Sequence, residues 1–270
     1  MLDRILLIFF LTIIPSLGRS QQLPIFDTHI HYNQPDWAPY PPDAILKIMD
    51  QAGIRRALVS STPDDGTLKL YEKDPKRIIP FLRPYRNPND PASWYRDSTI
   101  PAYLEGRLKR QIYKGIGEFH LFGGQANTPV IKWLVDLAAQ KILFLHAHSD
   151  DAAIIDLFAL RSEAKILWAH AGLSVAVETV GKLLDRYPNL WIELAMRQDI
   201  APGGKLALVW RALILRHPDR VMVGTDTWTT SRWEEITGYL EGVRVWLRQL
   251  PRGIAEKIAH QNAERLFTGQ

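Results

Sequence analysis

The chain has 270 residues, of which 46% are hydrophobic and 23% are charged. These proportions are ordinary for a globular protein and exclude a disordered or collagen-like chain. The chain contains no cysteine, which excludes disulfide scaffolds, thiolate metal sites and cysteine nucleophiles. The formal net charge is +4 without a block of lysine and arginine, so we expect no nucleic-acid partner.

The first residues have the pattern of an export signal. Arg4 precedes an apolar run at residues 5–14, and the small residues Gly18 and Ser20 mark the expected cleavage region. A run of this length is too short to span a bilayer as a helix, which needs about 20 residues. The alternative is an uncleaved helix that lies at the membrane surface. We predict a signal peptide at residues 1–20, export to the periplasm or the medium, and no membrane contact after signal removal.

Beyond the signal, short apolar runs alternate with amphipathic stretches bounded by Pro, Gly, Asp or Asn. The runs predict strands at residues 25–31, 56–61, 78–83, 115–120, 142–148, 165–170, 190–196 and 221–226. The stretches predict helices near residues 42–52, 67–74, 91–112, 129–140, 151–160, 174–186, 204–216 and 231–249, with a last helix near 253–267. This alternation favours an α/β fold, a single-domain (β/α)8 TIM barrel over residues 21–270 with an extra C-terminal helix. A doubly wound parallel sheet is the alternative, because buried parallel strands look alike in both folds.

The first predicted strand, IFDTHIHY, carries three polar side chains at alternate positions. Asp27, His29 and His31 share one face of an extended chain, so two histidines can reach one ion from a single strand. The competing interpretation is that both histidines satisfy local hydrogen bonds, because an HxH pair is short and common. The pair lies at the C-terminal end of the strand, where barrel enzymes build their active sites.

Histidines and carboxylates recur at the ends of four further strands. Glu118 and His120 end the fourth run, His146 and His148 the fifth, His170 the sixth and Asp226 the eighth. Any one of these histidines is more often structural than functional. Together they are hard to explain that way, because an unpaired buried charge costs several kcal/mol and a shared cation removes that cost. The set predicts a divalent metal site without sulfur ligands and favours the barrel over the doubly wound sheet.

As an ordered set, these segments resemble the amidohydrolase-2 branch of the metal-dependent amidohydrolase superfamily. The resemblance covers residues 23–267 and includes the HxH pair, Glu118 in GIGEFH, His146 in FLHAH, His170 in WAHAG, Asp226 in VGTDTW, and IAHQNAERLF with Asn262. It implies one or two divalent ions, zinc first and manganese, iron, cobalt or nickel as alternatives, held by His29, His31, His146, His170 and Asp226.

The resemblance also implies roles for individual side chains. Glu118 stands where some branches carry a carbamylated lysine, and it either bridges two ions or completes one site. We predict that His146 is a metal ligand and that His148 faces the substrate. Asp226 both contacts the metal and accepts the proton of the attacking water, which is general acid and base work.

Residues after other strands are candidates for substrate binding. Arg83 and Arg197 follow runs at the active face, and guanidinium groups suit carboxylate or phosphate, although surface pairing with a nearby carboxylate is the common alternative. Trp37 and Trp228 could wall an apolar substrate. We also predict that His120 contacts substrate.

The leading hypothesis is an exported metal-dependent hydrolase that uses an activated water on an amide, ester or lactone bond of a small molecule. A decarboxylase of the same branch, a phosphoesterase and a non-catalytic binding barrel are the alternatives. The substrate is set by the barrel loops, and the fold does not define it. A homo-oligomer is left open.

Overall fold

The computed structural model describes residues 22–269. The predicted signal peptide lies outside the described residues. Among residues 22–269, no helix is both long enough and apolar enough to cross a membrane.

Eight parallel strands follow one another around a barrel in the order of the sequence. They are β1 (Ile25–Ile30), β2 (Ile54–Val59), β3 (Ile78–Leu82), β4 (Gly115–Leu121), β5 (Phe144–Ser149), β6 (Lys165–Trp168), β7 (Leu190–Glu193) and β8 (Val221–Met222). The backbone of Thr28 donates to Val223 O at 2.9 Å and that of Asp226 donates to His29 O at 2.7 Å, so the segment after β8 returns to β1. The predicted (β/α)8 barrel with an additional C-terminal helix is confirmed.

Helices alternate with the strands. They are α1 (Pro42–Ala52), α2 (Asp65–Lys73), α3 (Ile100–Leu108), α4 (Pro129–Lys141), α5 (Asp151–Leu160), α6 (Val177–Arg186), α7 (Leu208–Arg216), α8 (Arg232–Leu247), α9 (Arg252–Glu256) and α10 (Asn262–Phe267). A π-helical turn, Lys257–Gln261, joins α9 to α10, so the predicted last helix is three short helical segments in sequence.

The segment between β3 and β4 differs most from the sequence-based prediction of one helix at 91–112. It forms two 3-10 turns, Asp90–Ala92 and Trp94–Arg96, before α3 begins at Ile100. The reason is a charged centre in the loop, because Arg86 pairs with both Asp90 and Asp97 and holds the chain in a compact turn.

β6, β7 and β8 end two to four residues earlier than the apolar pattern predicts. His170, Met196 and Asp226 have φ values of 56°, 60° and 57°, in the left-handed region that no strand residue adopts. The chain therefore bends sharply after β6, β7 and β8. His170 and Asp226, predicted to end the sixth and eighth strands, lie in two of these bends, where their side chains turn toward the barrel axis.

The barrel is filled by apolar side chains at its N-terminal end. Phe26, Phe81 and Phe144 surround Phe267 of α10, with ring centroids 4.9 to 6.2 Å apart. A second, larger apolar cluster packs between the strands and the outer helices. Because the lower end is closed by packing, polar side chains inside the barrel collect at its C-terminal end.

Candidate active site

The predicted metal-ligating residues meet at the C-terminal ends of the strands, together with His148, which was predicted to face the substrate. His29 lies in β1 and His31 directly follows it, Glu118 lies in β4, His146 and His148 lie in β5, and His170 and Asp226 lie in the bends after β6 and β8. All but His148 are at least nine-tenths buried. The structure thus brings together side chains that lie up to 197 positions apart, as the barrel topology requires.

Three of these histidines are oriented by acceptors outside the cluster. Their Nδ1 atoms face Glu193 Oε1 at 2.9 Å for His29, the Ser60 carbonyl for His31 and the Ala195 carbonyl at 3.0 Å for His170. Carbonyl and carboxylate oxygens only accept hydrogen bonds, so each Nδ1 carries the proton and donates it. Each Nε2 lone pair is therefore free to bind a cation at the centre of the barrel mouth.

Two carboxylates face these Nε2 atoms. Glu118 Oε2 lies 3.1 Å from His31 Nε2 and 3.5 Å from His29 Nε2. Asp226 Oδ1 lies 3.3 Å and 3.6 Å from the same two nitrogens. These separations are those of ligands that share one ion, since metal–ligand bonds are about 2.0 to 2.2 Å long for nitrogen and oxygen.

The two oxygens of Glu118 face different pairs of histidines. While Oε2 faces His29 and His31, Oε1 lies 2.9 Å from His148 Nδ1 and 3.5 Å from His170 Nε2. A carboxylate placed in this way can bridge two positions. The groups that could hold an ion include His29, His31 and Asp226 on one side. On the other side, Glu118 forms one such group with His29 and His170 and another with His120 and His148.

The electrostatics of the cluster favour a positive charge. Burial raises the pKa of both the Glu118 and the Asp226 carboxyl. The charge of His29 and a hydrogen bond, from His148 to Glu118 and from His31 to Asp226, outweigh this effect, so each pKa lies below its ordinary value. Burial lowers the pKa of His29, but Asp226, Glu118 and Glu193 raise it well above its ordinary value. The buried carboxylates therefore favour a positive charge among these rings, which a divalent ion can supply.

His146 is fully buried beside His29, with ring centroids 4.6 Å apart. Neither of its ring nitrogens has a hydrogen-bond partner among the described residues. Burial lowers its pKa well below the ordinary value. His146 could contribute to an ion together with His29 and Glu193, and it lies deeper in the barrel than His148.

Glu193 is a buried member of the site to which the sequence pattern assigned no role. Its Oε1 accepts from His29 Nδ1 and from the backbone N–H of His170 at 2.6 Å, and its Oε2 accepts from the backbone N–H of Ala195 at 2.7 Å. Gly224 leaves room for it, since a Cβ at that position would collide with the carboxylate. A charged residue in the middle of the seventh apolar run was the one signal for it.

Asp27, in the same strand as His29, forms hydrogen bonds with Thr225, the residue before Asp226. It accepts from Thr225 Oγ1 at 2.6 Å and from Thr225 N at 3.1 Å. Arg232 donates to the backbone carbonyls of Thr225 and Asp226. These contacts stabilise the left-handed bend that points the Asp226 carboxylate into the site.

A cavity of about 640 Å³ opens above the cluster. Among the residues predicted to bind substrate, Arg83, His120, His148 and Trp228 line it. His120 is held by Tyr85, whose hydroxyl lies 3.0 Å from its Nδ1, and burial lowers the pKa of His120 to about 4. Arg83 lies at the cavity floor, where Nη2 pairs with Glu118 Oε2 at 3.1 Å.

Arg197 and Trp37 are not among the residues that line the cavity. Arg197 donates to both oxygens of Asp199 at 2.8 Å and to the carbonyls of Ala171 and Val175. It therefore fixes the bend after β6. Arg197 pairs with a nearby carboxylate, as the alternative interpretation expected, but its own side chain is buried. Trp37 donates from Nε1 to the Tyr32 carbonyl at 3.2 Å and packs on the core.

Comparison with known proteins gives a family and a set of related folds. The sequence profile of the amidohydrolase family, amidohydrolase-2 branch, matches residues 91–268, more than half of the chain. No curated protein matches the chain significantly.

Among solved structures, a putative 2-pyrone-4,6-dicarboxylic acid hydrolase from Pseudomonas putida has a TM-score of 0.65 and 15% identity, over 91% of this chain and 98% of that one. A probable 2-pyrone-4,6-dicarboxylic acid hydrolase from Acinetobacter baumannii has a TM-score of 0.63 and 15% identity, over 90% and 99%. The TatD homolog YJJV from Escherichia coli has a TM-score of 0.62 and 17% identity, over 90% and 98%. At these identities the likeness shows the fold alone.

Proposed function

The chain belongs to the amidohydrolase family of metal-dependent hydrolases, and from this premise we propose that it hydrolyses an amide, ester or lactone bond of a small molecule. One observation carries the proposal. The Nε2 atoms of His29, His31 and His170, each with its Nδ1 proton committed elsewhere, converge on two buried carboxylates. Such a set of nitrogen and oxygen donors without sulfur suits a divalent ion, and zinc is our first candidate.

We assign two adjoining ion positions to the cluster. His29, His31 and Asp226 would hold the first with Glu118 Oε2, and Glu118 Oε1 would hold the second with His148 and His170. This assignment prefers His148 to His146 as the ligand from β5, because His148 Nδ1 lies 2.9 Å from Glu118 Oε1. With an ion bound between them, the ring proton would sit on Nε2 and Nδ1 would present its lone pair. The residues fit the ions in a further respect, since Asp226 Oδ1 is buried without a hydrogen-bond partner among the described residues.

A bound divalent ion supplies a water whose pKa falls from about 15.7 toward about 7, and it polarises the scissile carbonyl. The protein groups do the remaining work. Asp226 faces the cavity and accepts the proton of the attacking water, and the same carboxyl then gives the proton to the leaving group. Arg83 pairs with Glu118 and holds that carboxylate in place.

The metal requirement is the direct test of the proposal. We expect zinc, manganese, iron, cobalt or nickel to co-purify with the protein, and activity on an ester, lactone or amide panel to be lost after chelation. Adding back one of these ions should restore it, because the buried carboxylates lose their counter-charge when the ion leaves. Elemental analysis and turnover before and after chelation measure both quantities.

A protein that co-purifies without any of these ions, and that no added ion activates, would contradict the proposal. His29→Ala serves as the matched variant, because it removes one ligand. It should lower metal content first and lose activity as a consequence, with partial recovery in excess metal.

We also propose that the protein is exported, on the support of the basic residue and apolar run at the N-terminus. Mass spectrometry of the protein from the periplasmic or secreted fraction should show a chain that lacks the first 18 to 20 residues. Recovery of a chain that keeps Met1 from the cytoplasmic fraction would show that the proposal is wrong.

A further inference from the structure

The outer wall of the active-site cavity is made of apolar side chains. They come from loops after five different strands: Pro35, Pro88, Pro91, Leu173, Met196 and Trp228. Trp228 is 58% exposed and Leu173 is 46% exposed, so both offer apolar surface at the cavity mouth to an incoming molecule. Proline rings have no side-chain entropy to lose, so this wall is preorganised for an apolar group.

The charged groups of the cavity are committed to the reaction centre. Among its described lining residues, Arg83 is the only lysine or arginine. Its guanidinium donates to Glu118 O at 3.0 Å, to Glu118 Oε2 at 3.1 Å and to Thr62 Oγ1 at 3.3 Å. Turning Arg83 toward a substrate anion would break a buried ion pair, which is strongly destabilising.

Two arginines that do not line the cavity, in the segments after β7 and β8, are also engaged. Arg197 is paired with Asp199, and Arg232 donates to the carbonyls of Thr225 and Asp226. A carboxylate carried by the substrate away from its reacting carbonyl would thus find no lysine or arginine of the cavity lining free to pair with it, and it would lose hydration against the apolar wall.

We propose that the substrate is a neutral carbonyl compound whose non-reacting part is an aromatic ring or alkyl group, seated against Trp228 and the proline wall. The reacting bond in this inference rests on the proposed hydrolysis. The apolar character of the non-reacting group rests on the cavity wall. A fused bicyclic ring is small enough for a cavity of about 640 Å³.

A pair of esters that differ by one carboxylate tests the inference on the metal-loaded protein. They are 2-naphthyl acetate and 6-acetoxy-2-naphthoate, which share the scissile bond and the ring. We expect kcat/KM to be at least about 100-fold higher for the neutral ester, because the buried carboxylate of the other has no partner. Equal or faster turnover of the carboxylated ester would overturn the inference.

Trp228→Ala identifies the wall as the source of this preference. It should lower kcat/KM for 2-naphthyl acetate about tenfold, mainly through KM, since it removes apolar contact with the ring and leaves the reaction centre intact. Leu208→Ala is the control, because Leu208 is 79% exposed on α7 and does not line the cavity. It should leave kcat/KM unchanged. An unchanged KM in Trp228→Ala would contradict the placement of the ring.

Binding of unreactive ketones separates this inference from the hydrolysis itself. In 1-(2-naphthyl)propan-2-one and its 6-carboxylate a methylene replaces the ester oxygen, so neither can be hydrolysed. Isothermal titration should show tighter binding of the neutral ketone even if the protein cleaves neither ester, in which case only the proposed function fails. Tighter or equal binding of the carboxylated ketone, or binding of neither, would overturn the inference.

Discussion

Replacing Asp226 with Asn is expected to leave the fold and most of the metal in place and to lower kcat by about 10²- to 10⁴-fold, the usual contribution of general acid–base assistance. The amide oxygen can still face the cluster, and His29, His31 and His170 keep their Nε2 atoms at the centre. The amide cannot accept the proton of the attacking water. KM should change less than kcat, because the carboxylate acts mainly in the transition state.

The backbone conformation at position 226 tolerates asparagine, so this substitution tests the carboxylate without disturbing the fold. Asp226 has a φ of 57°, and Asn is among the few residues that adopt the left-handed region readily. The Asp226 backbone N–H donates to His29 O, and Arg232 donates to the Asp226 carbonyl, so neither contact depends on the side chain. Unfolding should therefore occur at nearly the same temperature in both proteins.

Steady-state kinetics at full metal occupancy, verified by elemental analysis of the same sample, measure the effect. More than about a tenth of wild-type turnover in Asp226→Asn would show that another residue is the base, since that loss lies outside the usual range. Glu118 and His148 would then be the next candidates, because both face the same cavity.

Much of this site was readable from the sequence because barrel topology gathers strand ends whatever their separation in the chain. Polar residues at the ends of apolar runs, such as Glu118 and His170, could therefore be assigned to one cluster from the sequence pattern alone. Predicting that these residues lie in one cluster did not require exact strand boundaries. The prediction therefore holds although β6 and β8 end early.

What the pattern could not supply is side-chain direction within a strand. His146 and His148 share one face of β5, and only the turn of each ring shows that His148 meets Glu118. Arg83 and Arg197 look alike in sequence, yet one pairs with Glu118 at the cavity floor and the other with Asp199 outside it. The rotamer of each side chain and its local hydrogen-bond partners decide its direction. The periodic pattern of apolar and polar residues in the sequence predicts neither.

The position of Glu193 illustrates the same limit and leads to the second large effect. Its carboxylate receives three N–H groups, from the His29 ring, the His170 backbone and the Ala195 backbone. It thereby orients two candidate ligands of the ion at once. Carboxylates that accept from a ligating histidine fix its tautomer and raise its basicity, and removing them costs about 10- to 100-fold in metal affinity.

Glu193→Gln tests this role, and Asp64→Asn is its matched control. Asp64 is likewise fully buried, but its carboxylate contacts Tyr113 and Arg107 and belongs to none of the groups that could hold an ion. A change in metal affinity in this variant would mean that loss of any buried carboxylate weakens binding.

Glu193→Gln is therefore expected to lower the affinity of the apo protein for zinc or manganese by about 10- to 100-fold. The glutamine side chain has one acceptor oxygen, so its NH2 group must face either the Ala195 N–H or both the His29 ring and the His170 N–H. In the first case the Ala195 segment must shift, and its carbonyl is the acceptor that orients the His170 ring. In the second case the His29 and His170 segments must turn away. Affinity by competitive titration is the measurement, and the unfolding midpoint of the same apo protein separates positioning from general destabilisation. An affinity within about threefold of wild type, well below that range, would show that Glu193 only fills the barrel. If affinity falls while Asp64→Asn binds normally, the Glu193 carboxylate sets the orientation of the His29 ring.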